Sequence, residues 1–497
     1  MNAKPLSFTK PVSYAVIRGE VIQSDLIQFG GRGGDLTFLA PDPHKIADRI
    51  PLASPRLMED LYDISLENIL DYLAELGSRL EITKNDYLLE AREYSYATAP
   101  TTRPIMDKFF RDMPFMFDKE RIRGMIDFTI GVPYLEGWVE KDINGSKVGI
   151  RAYGARTLHI VAGNGPVLGA LTVLRGAVTR GDTIIKVPSN DPFTTGAIAR
   201  TMVDMAPDHP VTKHLAVAYW RGGDEALEAK IYQPHNIEKI CAWGGFASVK
   251  HVTKYIQPGI ELISLDPKRS ASIVGGEALQ SETTMQEAAN RIATDVATGN
   301  QTACSACRMV YVTCGTDDEG VARLKRLGQM TYDAMLRLPE TLTTKPKRYD
   351  PDLRRQVDAL RLSDDFYTVI GGKDGEGAVL ISHTADRVEF WEYLVDRTVN
   401  LIPVDTLEEV LDVVDAYTQT VGIYPENLRK VVRHKGALHG GQRFVALGYA
   451  FNGPGLVGPQ DGIEPMRRLV KWILSEEPLP GRVALWEGTD EDHKVVA

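Results

Sequence analysis

Strand and helix patterns alternate regularly after residue 156, and this alternation limits the fold of the chain more than any other feature of its sequence. Short β-rich runs each precede a stretch with helical spacing of apolar residues. The strands are predicted at 157–162, 182–187, 214–219 and 237–243, and the helices at 167–178, 193–205, 224–231 and 246–255. Such spacing favours right-handed βαβ units and therefore a parallel sheet with helices on both faces. Ligands of such sheets bind at the carboxyl ends of the strands.

A second α/β block follows. Its strands are predicted at 272–274, 310–313, 378–381 and 401–404, and its helices at 284–298, 321–336 and 407–417. Thr284 and Glu287 have the spacing of a capping box that opens the first of these helices. The polar, proline-bearing stretch 340–365 is predicted to be a surface excursion, and an amphipathic helix is predicted near 464–475.

The segment before residue 156 carries a hairpin signal. Two β-rich runs, 138–142 and 147–151, flank Asn144-Gly145, a pair typical of a tight turn with positive φ at both central positions. A long hairpin of this kind favours an oligomerisation arm. Further upstream, short strands and turns are predicted up to residue 60 and helices within 55–93. The Gly-rich stretch 30–35 is predicted to be a plain loop, because no helix follows it to form a phosphate site.

Composition and charge exclude several classes of protein. The chain has 497 residues, 43% of them hydrophobic and 25% charged, which suits a globular protein of two or three domains. Its net charge of −10, without a dense basic patch, argues against a nucleic-acid partner. No apolar signal core and no run of about 18 apolar residues is present, so we expect a cytoplasmic protein without a membrane span. The four cysteines are too few for a disulfide framework and are expected to be reduced.

Cys304 is the candidate nucleophile. A helical pattern ends at Gly299, a short polar loop carries Cys304, and a β-rich run begins near Arg308. Such an arrangement holds a side chain rigidly at the mouth of a sheet, and small neighbours leave room for a substrate. A thiolate attacks carbonyls and thioesters readily. The alternative is a buried structural thiol.

Cys304 and Cys307 also form a C-x-x-C pair, which is found in redox and zinc sites. No second pair exists, because Cys241 and Cys314 stand alone. A thioredoxin-like pair would follow the first strand of a small domain, whereas this one follows a long α/β domain. No metal is therefore expected, and Cys307 and Cys314 are interpreted as cysteines of a strand core.

Polar or glycine-rich turns follow three strands of the first block. Asn164 lies where an amide N–H faces a developing oxyanion, or it simply forms the turn. Lys186, followed by Pro188 and Ser189, suits ribose or phosphate recognition. The pair Gly244-Gly245 allows the backbone to approach a pyrophosphate closely. Because carboxyl ends of parallel strands meet at one edge, these contacts are expected on the same side of one sheet.

These motifs, in this order, resemble the aldehyde dehydrogenase superfamily and, within it, the acyl-CoA reductase branch typified by the fatty-acid reductase of bacterial bioluminescence (LuxC-like). The resemblance runs from about residue 90 to 475. Five stretches carry it: Asn164-x-Pro166 resembles Asn-Phe-Pro, Lys186-Val-Pro-Ser189 resembles Lys-Pro-Ser-Glu, Trp243-Gly-Gly245 resembles a Gly-Ser turn, 300–305 resembles Gln-Gln-Ala-Cys-Ser, and 458–462 resembles Pro-His-Asp-Gly.

The resemblance implies an architecture and roles for residues. It implies a Rossmann-type cofactor domain, a second α/β catalytic domain and a β-hairpin oligomerisation arm. The expected division is 1–136 (N-terminal segment and part of the cofactor domain), 137–153 (arm), 154–265 (cofactor domain), 266–433 (catalytic domain) and 434–497 (C-terminal segment). It implies that Cys304 is the nucleophile, that Asn164 serves the oxyanion hole, and that the Lys186 and Gly244 turns hold a nicotinamide cofactor.

Two departures from the superfamily pattern affect the expected chemistry. Hydrolytic members have a Glu-Leu-Gly-Gly-Lys stretch whose Glu activates water, but the matching stretch here is 265–269, Leu-Asp-Pro-Lys-Arg, without that Glu. An acyl-enzyme would then survive for CoA or hydride. The acid that ends the ribose motif is also missing, because Ser189 and Asn190 are neutral, which permits a 2′-phosphate and so NADPH, with NADH as the alternative.

The later ribose-binding Glu of the superfamily has no clear match. Glu392 is the nearest candidate. The adjacent stretch 396–398 either touches CoA or packs a domain interface.

The sequence thus predicts an NAD(P)H-dependent acyl-CoA reductase that converts an acyl-CoA to an aldehyde and CoA through an acyl-enzyme on Cys304. The alternatives are an NAD(P)-dependent dehydrogenase oxidising aldehyde to acid, and an acyl-accepting or scaffold subunit of a larger reductase complex. The resemblance also implies a homodimer or homotetramer and a partner protein that delivers acyl groups. The acyl chain is left open by the sequence.

Overall fold

A computed structural model describes residues 10–30, 36–452, 457–484 and 486–489. The predicted loop 30–35 lies outside these residues except for Gly30. The described strands, in chain order, are β1 Ala15–Ile17, β2 Glu20–Ile22, β3 Leu26–Gly30, β4 Thr37–Pro41, β5 Val139–Ile143, β6 Ser146–Gly154, β7 Arg156–Ile160, β8 Asp182–Lys186, β9 Leu215–Ala218, β10 Lys239–Trp243, β11 Glu261–Leu265, β12 Arg269–Val274, β13 Cys307–Thr313, β14 Tyr367–Gly371, β15 Ala378–Ser382, β16 Thr398–Val404, β17 Thr418–Tyr424, β18 Arg443–Ala446 and β19 Val470–Glu476.

The first described helix in the chain is short, and the longest described one, Asp318–Arg337, packs against the second sheet. They are α1 Pro43–Ile46, α2 Leu66–Arg79, α3 Asp86–Thr98, α4 Arg103–Asp112, α5 Lys119–Thr129, α6 Val132–Glu136, α7 Val167–Val178, α8 Thr194–Met205, α9 Pro210–Lys213, α10 Glu225–Ile231, α11 Phe246–Val252, α12 Glu282–Ala297, α13 Asp318–Arg337, α14 Pro351–Leu360, α15 Leu407–Asp412, α16 Leu428–His439 and α17 Pro465–Leu469.

The first sheet has the order β11-β10-β7-β8-β9-β1-β2. Strands β7 to β11 pair in parallel, as the alternation predicts, and β1 joins β9 in antiparallel fashion. The chain runs outward from β7 through β8 to β9 and then returns to place β10 on the other side of β7. The strand order therefore reverses between β7 and β10, and a crevice opens there at the carboxyl ends.

The second sheet has the order β14-β15-β16-β13-β12-β17-β18. Its strands pair in parallel except for the edge pair β14 and β15. The chain leaves the first sheet at Leu265 and enters the second at Arg269. Buried apolar side chains of α12 and α13 cover one face of this sheet, and the N-terminal helices share a core with α7 and α8 of the first. The predicted domain bounds stay a prediction.

A small sheet stands apart from the two large ones, in the order β19-β6-β5. The predicted hairpin is present, with Asn144 at φ 55° and Gly145 at φ 84° in its turn. The predicted amphipathic helix near 464–475 is wrong: α17 ends at Leu469, and β19 then pairs along β6. The run Val-Lys-Trp-Ile-Leu has strand-forming residues, and the open edge of β6 supplies hydrogen bonds that a local helical pattern does not reveal.

Several boundaries also differ from the prediction. Ser281 and Thr284, rather than Thr284 and Glu287, form the capping box, so α12 begins at Glu282. The predicted helix 407–417 ends at Asp412, because the chain must extend into β17. The predicted excursion 340–365 contains α14. Strand β17 escaped prediction because it is buried on both faces and so lacks the alternation of a half-exposed strand.

Gly154 ends β6, where the hairpin joins the first sheet, and the space around it leaves no room for a side chain. A Cβ at this position would lie 1.9 Å from the carbonyl oxygen of Arg180. We expect Gly154→Ala to lower the free energy of unfolding by about 3 kcal/mol through overpacking, measured as a lower urea midpoint. Gly124→Ala is the matched control, because no atom lies within 4 Å of its Cβ position and α5 gains about 0.5–1 kcal/mol from alanine. Equal midpoints for the two variants would contradict this account.

Candidate active site

The turn before Cys304 has an unusual backbone. Gly299, Asn300 and Gln301 have φ values of 63°, 53° and 61°, so three consecutive residues have a left-handed backbone conformation. Glycine adopts this region freely and asparagine tolerates it, but glutamine does so at a cost. The turn follows the end of α12 and changes the direction of the chain, which then leads to Cys304.

Buried amide side chains hold this turn. Gln301 Nε2 donates to the carbonyl oxygens of Cys307 and Thr398 at 2.8 and 2.9 Å, and Gln301 Oε1 accepts from the Thr398 N–H at 2.9 Å. Asn300 Oδ1 accepts from the Thr344 N–H at 2.9 Å. The stretch that the sequence showed as a polar loop is thus a buried structural element, in which the hydrogen bonds offset the backbone strain.

Cys304 lies at the amino ends of β12, β13 and β17, and it is partly exposed. Its carbonyl oxygen accepts from Ser270 Oγ at 2.8 Å, and Ser270 Oγ also accepts from the Thr420 N–H at 3.2 Å. Its Sγ accepts a hydrogen bond from Gln419 Nε2 at 3.1 Å. The sulfur therefore has a donor aimed at it, in a residue that is partly exposed.

The Gln419 amide that donates to Cys304 also contacts a carboxylate. Gln419 Nε2 also donates to Asp461 Oδ1 at 2.5 Å. Burial and the negative charge of Asp461 raise the pKa of the Cys304 thiol, while the hydrogen bond from Gln419 and the charge of Arg308 act to lower it. Burial likewise raises the pKa of Asp461, against the hydrogen bond from Gln419. The net result for Cys304 is a raised pKa, because burial and Asp461 outweigh the groups that favour the thiolate.

Asn164 reaches the nucleophile loop from the first sheet. Its Nδ2 donates to the carbonyl oxygen of Thr302 at 3.3 Å, two residues before Cys304. Among the described residues its Oδ1 has no hydrogen-bond partner. Because Nδ2 carries two N–H groups, one remains for an incoming oxygen. The structure therefore brings Asn164 and Cys304 to one place, between the carboxyl edge of one sheet and the amino edge of the other.

Lys186 ends β8 on the same carboxyl edge. Its Nζ lies 5.7 Å from the centre of the Trp220 ring, and burial lowers the pKa of Lys186 to about 8, with the charge of Glu228 acting the other way. The next turn, with Pro188 and Ser189, is half-buried. Asn190 then donates to the Gly163 carbonyl oxygen at 2.7 Å and joins the loops after β7 and β8.

The Gly244-Gly245 turn follows β10, directly across the crevice from the Asn164 loop. Gly245 precedes α11, is exposed, and has open space at its Cβ position. Since β7 and β10 are neighbours at the strand-order reversal, the Asn164 and Gly244 turns flank the crevice where open α/β sheets bind ligands.

Glu392 contacts Arg269 at the amino end of β12, in the second sheet. It sits in a short turn, is half-exposed, and its Oε2 approaches Arg269 Nη2 at 3.5 Å. Its predicted ribose role stays a prediction. Nearby, Arg397 is buried and donates to the Met335 carbonyl oxygen at 2.9 Å, which gives it a packing contact within the second α/β block.

The other cysteines are less accessible than Cys304. Cys307 Sγ accepts from Ser272 Oγ at 3.1 Å and donates to the Met309 carbonyl oxygen at 3.2 Å, and burial raises its pKa to about 12. Burial raises the pKa of Cys241 and Cys314 to about 11. All four thiols are free. Over the described ranges, no three His, Cys, Asp or Glu side chains gather as ligands for a metal ion.

Comparison with known proteins gives the family. The model of the family described as acyl-CoA reductase (LuxC) matches residues 61–472. The chain belongs to the LuxC acyl-CoA reductase family. Among curated relatives, a long-chain acyl-protein thioester reductase of Vibrio harveyi is 25% identical over 425 residues, which are 84% of each chain. A protein of the same name from Photorhabdus laumondii is 26% identical over 490 residues, 95% of this chain and 94% of the relative.

Solved structures give the fold. An aldehyde dehydrogenase of Mycobacterium tuberculosis in complex with NAD+ matches with a TM-score of 0.70 and 14% identity, over 96% of this chain and 100% of that chain. A NADP-dependent glyceraldehyde-3-phosphate dehydrogenase of Bacillus halodurans matches with a TM-score of 0.68 and 14% identity, over 94% and 99%. The fold is that of the aldehyde dehydrogenases, with a Rossmann-type sheet, as predicted.

Family membership confirms the predicted LuxC-like oxidoreductase. In the part of the chain that the structure describes, no helix combines the length and the apolar character needed to cross a bilayer.

Sequence reasoning missed Gln419 and gave Asp461 no role. No sequence motif pointed to Gln419, because it lies in β17, a strand that the sequence analysis did not predict. Asp461 had one, since Asp-Gly is a tight-turn pair and 458–462 matched the family motif, but sequence separation hid its approach to Cys304.

Gln301 provides a test of how the nucleophile loop is held. Gln301→Ala would remove three buried hydrogen bonds to Cys307 and Thr398, so we expect the free energy of unfolding to fall by about 2–4 kcal/mol. Urea unfolding measures the loss, and Gln329→Ala on the exposed face of α13 is the control. An unchanged midpoint in Gln301→Ala would show that the loop does not depend on this amide.

Proposed function

We propose that the chain reduces an acyl thioester to an aldehyde, with acyl-CoA as the thioester and NADPH as the reductant, through an acyl-enzyme on Cys304. The partly exposed Cys304, with Asn164 from the opposite sheet beside its loop, is the observation that carries this proposal. Family membership supports the reaction class.

The named relatives widen the choice of acyl donor. They are called long-chain acyl-protein thioester reductases, which supports a long acyl chain and makes a protein-bound thioester the second candidate donor. The chemistry at Cys304 is the same for both donors, because the reacting group is a thioester in each.

In the proposed reaction, each step is assigned to named residues. The Cys304 thiolate attacks the thioester carbonyl, and Asn164 Nδ2 together with the backbone N–H of Cys304 stabilises the oxyanion. The CoA thiolate leaves and the acyl-enzyme forms. A nicotinamide cofactor, when bound, supplies hydride. The resulting thiohemiacetal collapses to aldehyde and returns the electron pair to Cys304.

The stretch 265–269 supports reduction rather than hydrolysis. Leu265 stands where the hydrolytic motif has its water-activating Glu. In the same stretch, Lys268 Nζ donates to the Ala416 carbonyl oxygen at 2.9 Å, and Asp266 accepts from Ser264. Without a glutamate in this stretch, water attacks the acyl-enzyme slowly. The hydrolytic aldehyde dehydrogenase is therefore the less favoured alternative, and the acyl-accepting or scaffold subunit is the other.

The crevice of the first sheet fits a nicotinamide dinucleotide. Gly245 offers an open backbone approach for phosphates, and Lys186 with Ser189 stands at the next strand end for the ribose. Ser189 and Asn190 are neutral, so no carboxylate there repels a 2′-phosphate. These contacts, and a more distant one from Glu392, form the proposed cofactor site.

The arm supports assembly into a homodimer or homotetramer. Three apolar residues of the three-stranded sheet, and Trp138 directly before it, are 40–50% exposed in the single chain. The three are Ile143, Ile473 and Leu474. A partner that delivers acyl groups and a cytoplasmic location complete the proposal.

Intact-protein mass spectrometry tests the reaction. After mixing with a panel of acyl-CoAs without reductant, we expect an acyl adduct on Cys304 that NADPH discharges as aldehyde. Cys304→Ala should abolish the adduct, because the nucleophile is gone, whereas Cys307→Ala should keep most of it.

Two results would overturn the proposal. Equal loss in the two cysteine variants would remove Cys304 as the nucleophile. No adduct from any acyl-CoA, together with aldehyde oxidation that needs no CoA, would favour the hydrolytic dehydrogenase.

A further inference from the structure

Asp461 lies in a hydrogen-bonded turn between Gln460 and Ile463. The backbone N–H and C=O groups of Gln460 and Ile463 exchange hydrogen bonds at 2.7 and 3.0 Å. Between them Asp461 has φ 54° and Gly462 has φ 77°, which are the two positive values of a type I′ turn. The turn thus fixes the backbone of Asp461, and its carboxylate accepts a hydrogen bond from Gln419.

Both sheets hold the turn in place. Gln460 Oε1 accepts from Arg175 Nη2 of α7 at 3.5 Å, on the side of the first sheet. Asp461 Oδ1 accepts from Gln419 Nε2 of β17, in the second sheet. The carboxylate therefore reaches the active site from the C-terminal segment through a docked turn.

The carboxylate decides which way the Gln419 amide points. A carboxylate only accepts hydrogen bonds, so the NH2 end of Gln419, and not its oxygen, must face Asp461. Because Gln419 Nε2 also contacts the Cys304 sulfur, its second N–H is directed at Sγ. The amide is buried, with 6% of its residue exposed, and a hydrogen bond there is stronger than one in water.

We propose that Gln419 is a catalytic residue that donates a hydrogen bond to the Cys304 sulfur, and that Asp461 is the positioning residue that fixes its amide. The role in turnover rests on the proposed function. When the thiohemiacetal collapses, the oxyanion pair forms the C=O bond, the C–S bond breaks, and its electron pair stays on sulfur. The Gln419 N–H stabilises that thiolate, and it also stabilises the thiolate that attacks the next thioester.

Other charges act on the same atoms. Arg308 lies close enough to favour the thiolate, as does Arg443 from β18. Lys268 and Asp266 act on Asp461 in opposite directions. Asp461 itself opposes the thiolate through its charge, so its two effects on Cys304, charge and orientation of Gln419, have opposite signs and can be separated.

The experiment follows the rate of Cys304 alkylation by iodoacetamide against pH, with the modified peptide identified by mass. This readout needs neither thioester nor cofactor, so it stands even if the proposed reaction is wrong. In the unmodified chain the rate should rise with pH through a thiol pKa above the ordinary value. Gln419→Leu, or Gln419→Met as a second variant without a donor, should raise that pKa and slow alkylation at pH 8 by about tenfold.

Asp461 is tested with a matched pair. Asp461→Asn and Asp461→Leu both remove the charge, but only asparagine keeps an oxygen that accepts from Gln419. Both should lower the pKa of Cys304, and Asp461→Leu less so, because Gln419 loses its orientation. In the Gln419→Leu background the difference between the two should vanish. Asp412→Asn, on the exposed end of α15, should leave the profile unchanged.

The outcomes separate the two claims. An unchanged pH profile in both donor-free Gln419 variants would overturn the role of Gln419. Identical profiles for Asp461→Asn and Asp461→Leu would show that Asp461 acts by charge alone and would overturn its positioning role. If the profiles shift as expected while no acyl-CoA labels Cys304 in the unmodified chain, the hydrogen bond stands and the proposed substrate falls.

Discussion

The left-handed turn over residues 299–301 is the constraint on which the site depends. It costs backbone energy, and the buried amides of Asn300 and Gln301 offset that cost with hydrogen bonds to Thr344, Cys307 and Thr398. Because these bonds reach three different segments, the turn forms only when the second sheet is assembled. The position of Cys304 is thus tied to the completion of the fold.

The two sheets contribute opposite ends to one site. The first offers the carboxyl ends of β7, β8 and β10, where the crevice of a Rossmann-type sheet lies. The second offers the amino ends of β12, β13 and β17, where Ser270, Cys304 and Gln419 meet. This opposition brings the crevice of the first sheet and the Cys304 loop of the second face to face, and Asn164 spans the gap with its contact to Thr302.

The stretch 265–269 contains no glutamate, and charged groups from elsewhere in the chain act on the Cys304 sulfur. With Lys268 in that stretch, the carboxylate next to the nucleophile is Asp461, which reaches it from the C-terminal segment through the amide of Gln419. A carboxylate kept behind an amide is less free to activate water than one beside the acyl group. In the proposed reaction, this arrangement would protect the acyl-enzyme and keep a donor for the sulfur as it leaves.

The sequence by itself determined the βαβ order of the first sheet, the hairpin turn at Asn144-Gly145, the family and the place of Cys304 between a helix stop and a strand. These follow from local periodicity and short motifs, which act over a few residues. The tertiary structure alone decided that 470–476 is a strand on β6, that β17 is a central strand, and that Gln419 and Asp461 meet at the sulfur. Those features depend on contacts between segments far apart in the chain, and no local pattern records which distant edge or side chain a residue will meet.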